Sequence, residues 1–268
     1  MLSATTVFCH DGVEIADVAC RHGHGRGDHL ELASRHALVL VRRGCFVRSA
    51  DGVETLLDPL LAYCMNRGQE QRFDHPHEHG DDCTALFLAP ELIASLWGGE
   101  PTLPSATLPI SPQLDLQHRL LLRAGRSEED PHDVLERAIA LIAATLAASE
   151  SRRVASGRPA GTRARRALVD GARELLAAAP ERSLPELARA LAVSPHHLSR
   201  SFRAGTGHTI SRHRMRLRTR SALERLADGE QNLARLAAEL GFADQSHLIR
   251  VIRAELGHTP SALRALLA

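Results

Sequence analysis

Two sets of residues in this sequence have the types and spacing to do chemistry. In the first, His75, His77 and His79 alternate within HPHEHGDDC, so on a strand all three would share one face. Cys83 follows closely, and Cys20, His22, His24 and His29 form a second Cys/His-rich patch. Imidazole and thiolate ligate zinc, copper and related soft metals, which makes Cys20, His75, His77, His79 and Cys83 candidate metal ligands. Against this, Pro76 and the nearby glycine favour loops, and the spacing fits no closed zinc motif. A free cysteine in a strand is most often a small core residue. The rival uses of this region are a redox-sensing thiol and a pocket for a small organic effector.

The second set lies near the carboxyl end. His196, His197, Ser199, Arg200 and Arg203 are answered by Gln245, Ser246, His247, Arg250 and Arg253. Arginine reads guanine through two parallel hydrogen bonds and glutamine reads adenine, so on an exposed helix these residues suit a DNA major groove. The bland alternative is a helical-repeat bundle whose arginines are merely solvated.

An internal repeat positions this second set. RAGTGHT at 203–209 recurs as RAELGHT at 253–259, and Leu198, Arg200 and Phe202 match Leu248, Arg250 and Ile252. Further upstream Leu184, Leu187, Ala188, Leu191 and Val193 match Leu233, Leu236, Ala237, Leu240 and Phe242, with one residue inserted between the blocks. Each copy reads as a short amphipathic helix, a tight turn and a second helix. Ser194 and Asp244 are the expected N-caps, with Pro195 at the first helical position. Helix-turn-helix units about 184–204 and 233–255 follow, joined by a helix over 210–226. The alternating Arg212, Arg214, Arg216, Arg218 and Arg220 would spread around that helix, with one or two pairing with Glu224, Asp228 or Glu230.

Composition agrees with a divided chain. Of 268 residues, 44% are apolar, 24% charged and only 3% aromatic, and all 33 basic residues are arginine. Residues 1–160 carry 15 Arg against 22 acids, a balance of −7, whereas residues 161–268 carry 18 Arg against 10 acids, a balance of +8. One half therefore suits a polyanion and the other does not. The longest apolar run, Ala138 to Ala148, is 11 residues, short of the roughly 20 that span a bilayer. The amino-terminal MLSATTVFCHDG lacks the basic-then-apolar plan of a secretory signal. No membrane association and a cytoplasmic location are expected. The five cysteines form neither a disulfide framework nor a CxxC pair.

The first half reads as short strands at 37–41, 45–47, 53–57, 60–64 and 84–88, punctuated by Asp51-Gly52, Asp58-Pro59 and Asn66-Arg67-Gly68. That pattern favours a sandwich or barrel. From about Ser111 the period turns helical, with Leu114, Leu116, Leu120 and Leu121 in one helix. Val134, Leu135, Ile139, Ile142 and Leu146 fall in a second that starts at Asp130-Pro131.

Residues from about 162 to 268 resemble the DNA-binding domain of the AraC/XylS transcription regulators. The stretches LARALAVSPHHLSRSFRAGTGHT (187–209) and LAAELGFADQSHLIRVIRAELGHTPSALR (236–264) carry the resemblance. Leu248 and Ile252 stand where the family usually has phenylalanine, and Ile210 where an aromatic is common. The resemblance implies base-facing roles for His196, Ser199, Arg200, Gln245, Ser246, Arg250 and, less directly, His247. It leaves Arg203 and Arg253, further along their helices, for phosphate contact or structural pairing.

It also implies an α+β chain. A cupin-like effector-sensing β-barrel would occupy 1–110, a helical dimerisation segment 111–149, a linker 150–161 and the all-α DNA-binding domain 162–268. In that plan Leu135, Ile139, Ile142 and Leu146 form the homodimer seam, the alternative being that they pack on the chain's own sheet. Double-stranded DNA, a small-molecule or metal effector and RNA polymerase are the implied partners. No cofactor is named by the sequence. A non-enzymatic transcription regulator is expected, the rivals being a metal- or redox-sensing regulator and a cupin enzyme with an appended DNA-binding domain.

Overall fold

The computed structural model describes residues 2–21, 30–75, 80–97, 99–104, 107–155 and 163–268. The chain divides into two compact units, Met1–Ser156 and Gly157–Ala268. Among the described residues, no helix is long and apolar enough to cross a membrane. All five cysteines are free, and only Cys9 is exposed.

The first unit opens with β1 (Leu2–His10), β2 (Val13–Cys20), β3 (Glu31–Leu32), β4 (His36–Arg43) and β5 (Phe46–Ala50). It continues through β6 (Val53–Leu57), β7 (Leu61–Met65), β8 (Glu70–Asp74) and β9 (Asp81–Leu88). Then come α1 (Pro90–Trp97), β10 (Thr107–Pro109), α2 (Pro112–Arg126) and α3 (Pro131–Ala155). Turn chemistry joins the strands. Asp51 and Gly52 both take positive φ, 52° and 74°, as a two-residue hairpin between β5 and β6 demands. Asp11 and Gly12, at 37° and 80°, do the same between β1 and β2. At Asp58-Pro59 the carboxylate of the buried Asp58 accepts from the Leu60 N–H at 2.9 Å, reversing the chain into β7.

The strands form a six-stranded sheet, ordered β1-β2-β9-β4-β7-β10, and a four-stranded sheet, ordered β3-β8-β5-β6. Neither closes on itself, so the expected barrel is corrected to two open sheets. The reason lies in β4, where six successive residues, His36 to Val41, are buried. A strand buried on both faces needs two covers. Ala37, Val39 and Val41 face the second sheet, packing with Phe46, Leu57 and the partly buried Phe73. Leu38 and Leu40 face the helices, packing with Ile93, Leu121, Ala138 and Leu141. Three layers result: sheet, sheet, helices.

α2 is capped by Ser111, whose hydroxyl accepts from the Leu114 N–H at 3.1 Å, and α3 starts at Pro131 as its sequence signal predicts. Most of the α3 stripe is used inside the chain. Ile142 and Leu146 lie in the helix-side core with Val134, Ala138 and Leu141, and Leu135 packs against it. Ile139 is half-buried and lies outside that core. Three of the four residues expected at a dimer seam thus cover the apolar side of the six-stranded sheet. α3 also runs on to Ala155, so the first residues of the expected linker are helical.

The second unit is all helix: α4 (Arg163–Ala178), α5 (Leu184–Ala190), α6 (Pro195–Thr206), α7 (Ile210–Ala227), α8 (Leu233–Glu239), α9 (Gln245–Leu256) and α10 (Pro260–Leu267). The repeated Gly-His-Thr strings explain themselves here. Gly207 and Gly257 end α6 and α9 in the left-handed conformation. Two residues on, Thr209 and Thr259 cap α7 and α10 by accepting from the Arg212 and Ala262 N–H groups. Leu187, Ala188, Leu198 and Phe202 are buried in the first repeat, and Leu236, Ala237, Leu248 and Ile252 in the second.

Candidate nucleic-acid interface

The two turns hold their second helices in the same way. The Ser194 hydroxyl accepts from the His197 N–H at 3.2 Å, opening α6. The Asp244 carboxylate accepts from the His247 N–H at 2.7 Å, opening α9. Each turn passes through a left-handed residue, Ala192 with φ 52° in the first and Gly241 with φ 71° in the second. Beneath them Phe242 is buried, while the smaller Val193 is half-buried.

With Leu198, Ser201 and Phe202 turned inward, α6 presents His196, Arg200 and Arg203 to solvent, with Ser199 half-buried beside them. With Leu248, Ile252 and Leu256 inward, α9 presents Gln245, Ser246, Arg250 and Arg253. These positions recur every three or four residues, so each helix carries one polar stripe. Arg200 matches Arg250 and Arg203 matches Arg253. Among the described residues, none of these four arginines takes an ion pair or a side-chain hydrogen bond, whereas others in this unit do. Four exposed cations at repeated positions, none neutralised by a carboxylate, can meet a polyanion with no partner to displace.

His247 is less available. Its Nδ1 accepts from the Ala243 N–H at 3.3 Å, and its ring stands edge-on to Phe242 at 5.6 Å between centroids. The imidazole buttresses the turn, leaving Nε2 outward. Sequence reasoning passed over Ile249, a half-buried residue at the position of Ser199. The fifty-residue offset was the signal for it, and an apolar side chain there suits a thymine methyl.

Two of the alternating arginines of α7 meet backbone carbonyls. Arg214 donates to the carbonyl of Arg182, and Arg218 to those of Gly241 and Pro180. Burial pushes both guanidinium pKa values down. Glu230 is paired instead by Arg225 and Arg235. His213 is turned inward against Phe202, at 5.3 Å between ring centroids.

Of the candidate metal ligands, the structure brings Cys20 and His75 together with Asp81, which the sequence reading did not include. Cys83 is buried nearby and its thiol donates to Asp81 Oδ1 at 3.3 Å. Burial, with the Asp81 carboxylate beside it, pushes the Cys83 thiol well up. His77 and His79, with His22, His24 and His29, lie outside the described residues.

A family of helix-turn-helix domains matches residues 187–265, within the second unit and across both of its repeats. The carboxy-terminal unit thus carries a helix-turn-helix domain, which runs from within α5 to within α10. Among solved structures, the chain is similar to fatty-acid-bound ToxT from Vibrio cholerae, at 11% identity over 97% of both chains with a TM-score of 0.38. It is also similar to the C-terminal domain of AraT from Geobacillus stearothermophilus, at 24% identity over 37% of this chain and 84% of that one, TM-score 0.35. A DNA-binding transcriptional dual regulator from Escherichia coli K-12 gives 22% identity over 37% and 89% of the two chains, TM-score 0.34. No curated protein sequence matches the chain.

Proposed function

We propose that this chain is a sequence-specific DNA-binding transcription regulator whose α6 and α9 enter successive major grooves of one duplex. The observation that carries the reading is the repeated set of exposed arginines free of ion pairs, Arg200 and Arg203 on α6 and Arg250 and Arg253 on α9. His196, Ser199, Arg200, Gln245, Ser246, Ile249 and Arg250 read base edges, His247 contributes at most its Nε2, and Arg203 and Arg253 hold phosphate. α7, at 18 residues, is about 27 Å long at about 1.5 Å per residue. With the widths of the flanking helices this suits reading heads about one DNA turn apart, near 34 Å. The acidic first unit, a cupin-like pair of sheets, serves as the effector-responsive part.

Selection of bound sequences from a random duplex pool, followed by footprinting, tests the reading. Enrichment of one motif protected over two adjacent major grooves per chain supports it. Binding without any sequence preference would overturn it.

A further inference from the structure

A polar cluster lies at the Cys20 end of the first unit. Cys20 ends β2 and Asp81 begins β9, and the two are cross-strand partners. His75 follows β8, in the other sheet, and its Nε2 meets Asp81 Oδ2 at 2.8 Å. The ligand atoms of Cys20, His75 and Asp81 all lie within 4.8 Å of one another. Cys20 and Asp81 are each 6% exposed, and the His75 side chain is 10% exposed. A thiol, an imidazole and a carboxylate are thus gathered in one place away from water, with their donor atoms within reach of a common ion.

The backbone around them is built for close approach. A Cβ on Gly80 would stand 1.9 Å from the Cys20 carbonyl oxygen, and one on Gly44 would stand 2.4 Å from the Gly80 carbonyl oxygen. Only bare backbone at 44 and 80 lets Asp81 sit against Cys20 while His75 arrives from the other sheet.

We propose that Cys20, His75 and Asp81 form a binding site for a divalent cation of the zinc class. Sulfur, nitrogen and oxygen donors together suit zinc, whereas magnesium and calcium take oxygen throughout. Ligand bonds of about 2.0–2.3 Å place donor atoms roughly 3.3–3.8 Å apart around a tetrahedral ion, so the His75–Asp81 pair, now 2.8 Å apart, opens slightly while the wider separations in the cluster, up to 4.8 Å, draw in. On binding, the Cys20 thiol gives its proton to solvent. The His75 proton shared between Nε2 and Asp81 Oδ2 passes to Nδ1 by way of solvent so that the neutral imidazole binds through Nε2, and Asp81 exchanges its His75 hydrogen bond for the metal. The Cys83 thiol, on the far side of Asp81, orients the carboxylate through its other oxygen. Three protein ligands leave a fourth position open. A bound ion would tie the β2–β9 end of one sheet to the β8 end of the other.

The test uses the reduced, chelator-treated full chain without DNA, titrated with cobalt(II) alone and then with zinc(II). One equivalent of cobalt should bind with a sulfur-to-cobalt charge-transfer band, and zinc should displace it. Cys20→Ser should abolish the band, and His75→Ala or Asp81→Asn should weaken binding roughly tenfold or more. Cys9→Ser should leave both unchanged. Zinc should also release protons from the wild-type chain and protect Cys20 from alkylation, two readouts that require no variant. Absence of stoichiometric binding, a band that survives Cys20→Ser, or alkylation of Cys20 unaffected by zinc would each overturn the site. An oxidisable thiol without metal affinity would show the last pattern. DNA binding measured in parallel separates failure of this site from failure of the DNA-reading assignment.

Discussion

Arg218 on α7 donates from Nη1 to the carbonyl oxygen of Gly241, at 2.5 Å, so the helix between the two repeats grips the turn of the second. A Cβ on Gly241 would lie 2.8 Å from Arg218 Nη2, and its φ of 71° already disfavours a side chain. Ala192, the matching residue of the first turn, tolerates φ 52° with its Cβ in place.

The two turns should therefore answer opposite substitutions with opposite signs. Gly241→Ala adds a left-handed side chain, costing about 1–2 kcal/mol, and displaces the Arg218 guanidinium. Ala192→Gly relieves the same strain but frees the unfolded chain by about 0.4–1 kcal/mol, a net gain below about 1 kcal/mol. Urea unfolding of the full chain gives both values. Equal shifts in the same direction would contradict this account of the turns.

The four stripe arginines should fall into two classes. Arg200→Ala and Arg250→Ala should each cost about 1–3 kcal/mol on the preferred duplex and relax selectivity at one base position. Arg203→Ala and Arg253→Ala should weaken all duplexes alike and lower the salt slope by about one. Titrations against preferred and scrambled duplexes at several salt concentrations separate the classes. Uniform loss at Arg200 or Arg250 would reassign that residue to phosphate.

Acid should loosen the second unit through Glu230. The hydrogen bond from Arg235 first, then those from the Asn232 N–H and Arg225, hold its carboxyl down at about 2 from an ordinary 4.5. A carboxyl lowered by folding stabilises the fold above its unfolded pKa and loses that contribution as pH falls through its folded one. Stability should thus decline between about pH 4.5 and pH 2, and Glu230→Gln should flatten that stretch. Thermal melts across this range decide the point, and a variant as acid-sensitive as the parent would refute it.

The α3 stripe should behave as core. Ile142→Ala should destabilise the first unit by about 2–5 kcal/mol, to the same extent at every protein concentration, with no change in sedimentation of the folded chain. A concentration-dependent loss would restore the stripe to an interface.

The helical unit was largely legible in the sequence because its signals are local. Ser194-Pro195 and Asp244 cap the helices they were expected to cap, and the fifty-residue echo placed the matching arginines. What was not legible depended on neighbours distant in sequence. The alternating arginines of α7 cannot reveal from their spacing that Arg214 and Arg218 meet backbone carbonyls of turns distant in the chain. Asp81, within GDDC, has the composition of a turn, and only the β2–β9 register sets it against Cys20. The apolar run of β4 was readable as a strand, but not as one needing two covers, so the α3 stripe stood open between a dimer seam and the chain's own sheet. The β1–β2 hairpin did carry a signal in Asp11-Gly12, obscured because β1 is mostly exposed and lacks an apolar alternation.

α7 extends unbroken from the Thr209 cap to Asp228, with α6 before it and α8 and α9 after it in the chain. On the proposed DNA-reading role of α6 and α9, a single continuous helix then sets much of the gap between the two heads. For any promoter held by both, the number of base pairs separating the two recognised stretches would be under selection as strict as their letters. Such a promoter could drift in sequence far more readily than in phase.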